Sequence, residues 1–155
     1  MPNDLDELLK LDNQLCFPLY AASKEIIRRY KPLLDKLDIT YTQYLVLLVL
    51  WEKDGVLVKE LGERLYLDSG TLTPLLVKLE QKKYIIRKKG KDDGRELYIF
   101  LTELGKDMKK EAHQVPQSIG GCVKLEANEA RTLYTLLYKI LRGFNDGQTK
   151  EDNTH

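Results

Sequence analysis

No stretch of this chain approaches the ~18 consecutive apolar residues that a membrane-spanning helix needs. Cysteine is scarce: Cys16 and Cys122 are too few and too far apart for a disulfide framework. Histidine is equally scarce, and neither His113 nor His155 joins a cysteine at zinc-ligand spacing, so no metal and no other cofactor is expected. Excess charge of either sign is also missing. With 25 Lys and Arg against 24 Asp and Glu, bulk charge points to no partner, and any nucleic-acid footprint must come from local clustering. The first residues, Met1 to Glu7, are acidic rather than basic and then apolar, so no signal peptide is expected. These absences predict a cytoplasmic protein without a membrane association.

What is present suits a folded domain. The chain has 155 residues, 43% hydrophobic and 32% charged, which is a globular balance with enough length for a real core. We read residues 1–155 as one domain. A first helix is expected over 13–35, where Leu15, Leu19, Ala22, Ile26, Ile27 and Leu33 recur at helical spacing. Pro18 belongs in its first turn, with Asp12 or Asn13 as N-cap, and Pro32 should kink or stop it. A second helix over 40–54 opens on a capping box of Thr40 with Gln43, is apolar nearly all round, and ends at Gly55. Two short helices follow. One runs from about 58 to 65; the other starts at Asp68 or Ser69, keeps Pro74 in or near its first turn, and faces Leu72, Leu75, Leu76 and Leu79 inward. Strands are expected at 84–88 and 96–101 around the turn "KGKDDGR". Helix resumes at Thr102, is interrupted by Pro116, Gly120 and Gly121, and returns over about 126–142. A disordered tail is expected over about 145–155. The fold class is therefore mainly α, with a small β component.

Two short helices followed by a hairpin is the order of a winged helix-turn-helix, whose second helix enters the major groove of double-stranded DNA. That helix offers Ser69, Thr71 and Thr73 in and near its first turn, hydroxyls able to reach bases or phosphates. From Lys78 to Arg95 the chain holds eight cations against three acids, although it is nearly neutral elsewhere. Lys78, Lys88, Lys89 and Lys91 are the expected phosphate contacts, and Arg95 at the hairpin tip could enter a minor groove. Asp93 should hold the backbone of Arg95 or pair with a neighbouring cation.

The stretch "NQLCFPLYAASKEIIRRYKPLLDK" raises a separate question. Pro18 places Cys16 near the start of a helix, where unpaired N–H groups favour a thiolate, and Tyr20 lies one turn further on the same face. A free cysteine is equally at home as a small core residue. From the residues alone, both readings of Cys16 stand.

The residues "LYLDSGTLTPLLVKLEQKKYIIRKKGKDDGRELYIFLTELG" resemble the winged-helix core of the MarR family, with Asp93 and Arg95 matching its D-x-R wing. "LCFPLY" together with "KPLLDKLDITYTQY" is similar to the organic hydroperoxide resistance regulators within that family, and the likeness covers roughly residues 8–143. The resemblance implies a winged-helix core over about 40–102, with dimerisation helices over about 8–36 and 103–143. It implies a homodimer on an inverted-repeat operator. Cys16 would be the peroxide-sensing residue, with Tyr30 and Tyr41 hydrogen-bonding its thiolate and Tyr20 close by. Cys122 matches, by position, the late cysteine of members that form a disulfide between subunits.

The expected function is a redox-sensing DNA-binding repressor that releases its operator when organic hydroperoxide oxidises Cys16. It is not expected to be an enzyme. Two alternatives remain: a regulator of the same fold that answers a small phenolic or lipophilic ligand, and a thiol peroxidase. The second lacks a separate catalytic acid, base or arginine motif, and the basic hairpin argues against it.

Overall fold

The computed structural model describes residues 5–151, and the chain separates after Cys122 into two compact units. The first carries α1 (Leu5–Leu8), a 3-10 turn at Leu11–Asn13, α2 (Cys16–Asp35), α3 (Tyr41–Glu52), β1 (Val56–Leu57), α4 (Val58–Leu65), α5 (Ser69–Gln81), β2 (Ile85–Lys89), β3 (Leu97–Leu101), α6 (Glu103–Ala112) and α7 (Gln114–Gly120). The second carries α8 (Ala127–Glu151). Among the described residues, no helix is long and apolar enough to cross a membrane.

The expected order of helices around a hairpin is present. α3 is the central element: Tyr44, Val46, Leu47, Val49 and Leu50 are buried, and its capping box forms as the sequence predicts, with Thr40 and Gln43 exchanging side chain-to-backbone bonds. Leu34 of α2, Leu61 of α4, Leu72, Leu76 and Leu79 of α5, and Ile85 and Ile99 of the sheet close around it. Each such burial contributes on the order of 1.5–3 kcal/mol. Trp51 donates its indole N–H to the Gly105 carbonyl at 2.9 Å, tying α3 to α6. Position 105 needs a glycine for a separate reason: a Cβ there would stand 2.2 Å from the Tyr84 carbonyl oxygen.

The sheet has the order β1-β3-β2, all antiparallel. β2 and β3 pair from Ile85 opposite Leu101 to Lys89 opposite Leu97. The third strand, β1, was not expected. It has only two residues, too few for alternation to show, and exists because Val56 and Leu57 lie against Ile99 and Tyr98. The Asp54 carboxylate holds this corner, accepting from the N–H groups of Gly55 and Leu101 at 3.1 and 2.8 Å.

Several boundaries differ from expectation. Leu15, not Asp12 or Asn13, is the N-cap of α2, because the amides of Asn13 and Gln14 bend back onto the carbonyls of Glu7, Leu8 and Lys10. Pro18 does lie in the first turn. Pro74 lies in the second turn of α5 rather than the first; the carbonyl it leaves without a donor is that of Gly70, an exposed residue that water can serve. The break after α6 falls at His113, and Pro116 sits in the first turn of α7, where no N–H is needed. α8 runs on to Glu151, past the expected end at Arg142, and takes in Gly143 and Gly147 at a cost of about 1 kcal/mol each. Of the expected disordered tail, residues 152–155 lie outside the described residues. Within its own unit, α8 leaves Leu133, Tyr134, Leu136 and Ile140 exposed.

Candidate functional site

The start of α5 is set by one carboxylate. Asp68 is the N-cap of α5 and accepts from the Thr71 N–H at 2.7 Å, which holds its carboxyl below the usual range. The four leucines expected to face inward are buried, so Ser69, Thr71, Thr73 and Lys78 are left on the exposed face. A helix is amphipathic in this way when its apolar residues recur every three to four positions.

The wing is built on Asp93. Its carboxylate accepts from the Arg95 N–H at 2.9 Å, and its carbonyl accepts from the Glu96 N–H at 3.1 Å. Glu96 in turn accepts from the Gly90 N–H at 2.8 Å, which closes the tip. Of the two roles the sequence left to Asp93, the structure has the backbone one. Lys89, Lys91 and Arg95 are exposed around this tip, and Lys88 is exposed with its ammonium 5.3 Å from the Phe100 ring centroid.

Two of the eight cations in this stretch are committed inside the protein. Arg87 donates from Nε and Nη2 to the Glu80 carboxylate at 3.2 and 3.1 Å, and the same carboxylate accepts from the Arg87 N–H. Hydrogen bonding to Arg87 keeps Glu80 below its ordinary pKa. Lys82 reaches the connection between α2 and α3, donating to the Asp38 carbonyl at 2.6 Å. Sequence reasoning missed Glu80, Arg87 and Lys82 as structural partners. Glu80, an acid seven residues before Arg87 and apart from the Asp92–Asp93 turn, was the available signal.

The thiol sits at a helix start, as expected. Cys16 is the first residue of α2 and is exposed, and no Leu15 side-chain bond caps that end. Tyr20 follows one turn later, 60% exposed, with the Lys24 ammonium 5.2 Å from its ring centroid. Tyr30 and Tyr41 do not approach the Cys16 of their own chain. Tyr30 shares α2 with Cys16, and at 1.5 Å per residue the two are roughly 20 Å apart along the helix axis.

The two tyrosines instead form a cluster with Tyr44 at the α2–α3 junction. Ring centroids are 4.8 Å apart for Tyr30 and Tyr41, 5.9 Å for Tyr30 and Tyr44, and 6.4 Å for Tyr41 and Tyr44. Burial, and then the neighbouring phenols, push the Tyr30 pKa up to about 12; burial also raises Tyr41 and Tyr44. These hydroxyls therefore stay protonated and able to donate across the physiological range. Beside them runs a groove of ≈ 240 Å³, lined by Ile27, Leu34, Ile39 and Tyr41 together with Arg28, Lys31, Asp35 and Thr40. Cys122, just beyond α7, is exposed, with its sulfur 3.6 Å from the Ser118 carbonyl oxygen.

Comparison with known proteins agrees with this architecture. Residues 28–112 match the family described as transcriptional regulator SarA/Rot. The chain is similar to the organic hydroperoxide resistance transcriptional regulator of Bacillus subtilis (strain 168), at 50% identity over 141 residues, covering 91% of this chain and 95% of that one. Among solved structures it is similar to reduced AbfR bound to DNA, with a TM-score of 0.74 and 35% identity over 90% of this chain and 96% of that one. Disulfide-formed AbfR matches with a TM-score of 0.64 and 34% identity, over 90% and 95% of the two chains. A mutant MarR from E. coli in complex with operator DNA matches with a TM-score of 0.70 and 29% identity, over 85% and 99%.

Proposed function

The chain belongs to the MarR family of DNA-binding transcriptional regulators, in the branch of the organic hydroperoxide resistance regulators, and from there we propose that Cys16 is the group through which it senses organic hydroperoxide and releases its operator. The observation that carries this reading is an exposed thiol on the first residue of a helix, in a chain whose only other cysteine is Cys122. The Cys16 thiolate attacks the peroxide oxygen, giving the sulfenic acid and an alkoxide that takes up a proton. The Cys122 thiol then attacks the sulfenic sulfur, forming a disulfide and releasing water. The relative AbfR is known in reduced DNA-bound and in disulfide forms, which fits such a cycle.

The helix geometry points to where the hydroxyl donors come from. Tyr30 is too far along α2 to reach its own Cys16, so the donors that hold the thiolate are supplied by a second copy. Two α2 helices running antiparallel place each Cys16 against the other's Tyr30 and Tyr41. The exposed Phe17 and Leu19 then meet the groove beside Tyr41. The apolar face of α8 also calls for a partner, and α2 and α8 are the dimerisation helices in this reading. A symmetric dimer presents two α5 helices to an inverted repeat, with half-sites about one turn of DNA apart. Ser69, Thr71, Thr73, Lys78, Lys88, Lys89, Lys91 and Arg95 form its DNA-binding face, with Asp93 shaping the wing.

The test is operator binding with and without a lipid-like hydroperoxide, for wild type and Cys16→Ser. Wild type releases DNA on oxidation and Cys16→Ser stays bound. A Cys16→Ser protein that still responds would point instead to a ligand-responsive regulator of the same fold.

A further inference from the structure

The connection between α2 and α3 carries Tyr41, and it is held by the residue that closes the groove-reading helix. Lys82 is the C-cap of α5. Its ammonium donates to the Asp38 carbonyl at 2.6 Å and to Gln43 Oε1 at 3.3 Å, with the Asp38 carboxylate 3.7 Å away. Gln43 is buried, 1% exposed, and the same Oε1 accepts from the Thr40 N–H at 2.9 Å. Both residues that accept from the Lys82 ammonium therefore lie within three positions of Tyr41, on either side of it. Asp38 has a left-handed φ of 55°, so the carbonyl it presents depends on an uncommon backbone conformation. Two residues after Lys82, the Tyr84 hydroxyl donates to the Leu37 carbonyl at 3.1 Å, a second strut between the same two segments.

We propose that Lys82 couples the tyrosine cluster to α5, so that a displacement of Tyr41 is passed through the 38–43 connection to the helix that reads DNA. This rests on the reading of Cys16 and its tyrosine donors given above. A lysine anchored at once to a main-chain carbonyl and a buried amide cannot keep both bonds if the connection turns. Charge-assisted bonds are strong and directional, and losing one leaves a half-buried ammonium without its partner. The end of α5 therefore follows the connection. The Lys82 ammonium is committed to Asp38 and Gln43, so it acts by positioning α5 and not as a phosphate contact.

The experiment compares operator affinity before and after hydroperoxide treatment for wild type and Lys82→Met, with trapping of the Cys16 sulfenic acid to measure oxidation. Coupled sites usually differ by roughly 5–150-fold. The expected result is that Lys82→Met is oxidised as fast as wild type while its oxidation-linked loss of affinity shrinks at least about fivefold. A lysine with only a structural role would lower stability and reduced-state affinity and leave that ratio unchanged. A wild-type ratio in folded Lys82→Met overturns the inference, whereas a wild type that does not respond to hydroperoxide overturns the reading of Cys16 and this inference with it. If Lys82→Met does not fold, Lys82→Gln, which keeps a neutral amide NH2 but loses the charge, carries the same comparison.

Discussion

Arg87 of β2 grips Glu80 of α5 through two side-chain nitrogens and its own backbone N–H, joining the wing to α5 by a single carboxylate. Both side chains are partly exposed, so the pair contributes no more than about 1 kcal/mol to stability. Its larger effect is orientation, because two rigid elements are held at one angle.

Glu80→Ala should therefore change DNA discrimination more than folding. The variant frees one arginine and removes one negative charge, so binding to unrelated DNA rises while preference for the operator falls. Competition titrations at fixed salt measure the ratio. The pair is also pH-dependent. Glu80 titrates below its ordinary 4.5 in the folded chain, so its stabilisation is present above that pH and is lost as pH falls through the lowered value. An operator preference equal to wild type would show that the wing is set by other contacts.

Arg95→Ala removes an exposed side chain at the wing tip, beyond the Asp93 turn that shapes it. Operator binding should weaken by about 1–3 kcal/mol if the guanidinium reads the groove. The melting temperature should stay unchanged, since Asp93 bonds to the backbone of residue 95 and not to its side chain. Unaltered affinity would remove the wing tip from the DNA interface.

Oxidation of the wild type with stoichiometric hydroperoxide should give a covalent dimer on a non-reducing gel. Cys122→Ser should run as a monomer yet still form the Cys16 sulfenic acid. A disulfide requires the two Cα atoms within ~7 Å, so the bond also reports that the helix start and the end of α7 approach across the dimer. A crosslink in Cys122→Ser would exclude Cys122 as the resolving thiol.

Tyrosine ionisation gives an independent check on the cluster. The Tyr30 phenol is raised from 10.0 to about 12, so it stays protonated in the fold after an unfolded tyrosine has ionised. The corresponding stability is complete below pH 10 and disappears as pH rises toward 12. Alkaline spectrophotometric titration should show late-ionising phenols, with one fewer of them in Tyr30→Phe. If Tyr30→Phe titrates like the wild type, the cluster is open to solvent.

Much of the frame was legible in the residues because it is local. The Thr40–Gln43 capping box, the Asp68 cap, the leucine spacing of α5 and the glycine-bearing turn of the wing all act within a few positions of the chain. They were sufficient to place a winged helix and to put Cys16 at a helix start. What the sequence could not decide depends on residues far apart in it. A run of eight cations reads as one phosphate footprint until the fold turns Lys82 onto Asp38 and Arg87 onto Glu80. β1 exists only because β3 lies beside it. Tyr30, Tyr41 and Tyr44 come together because α2 and α3 pack side by side, and the length of α2 holds Tyr30 away from Cys16. Local chemistry chose the elements; burial and charge pairing between distant segments chose which side chains are free to meet DNA, peroxide or a second copy.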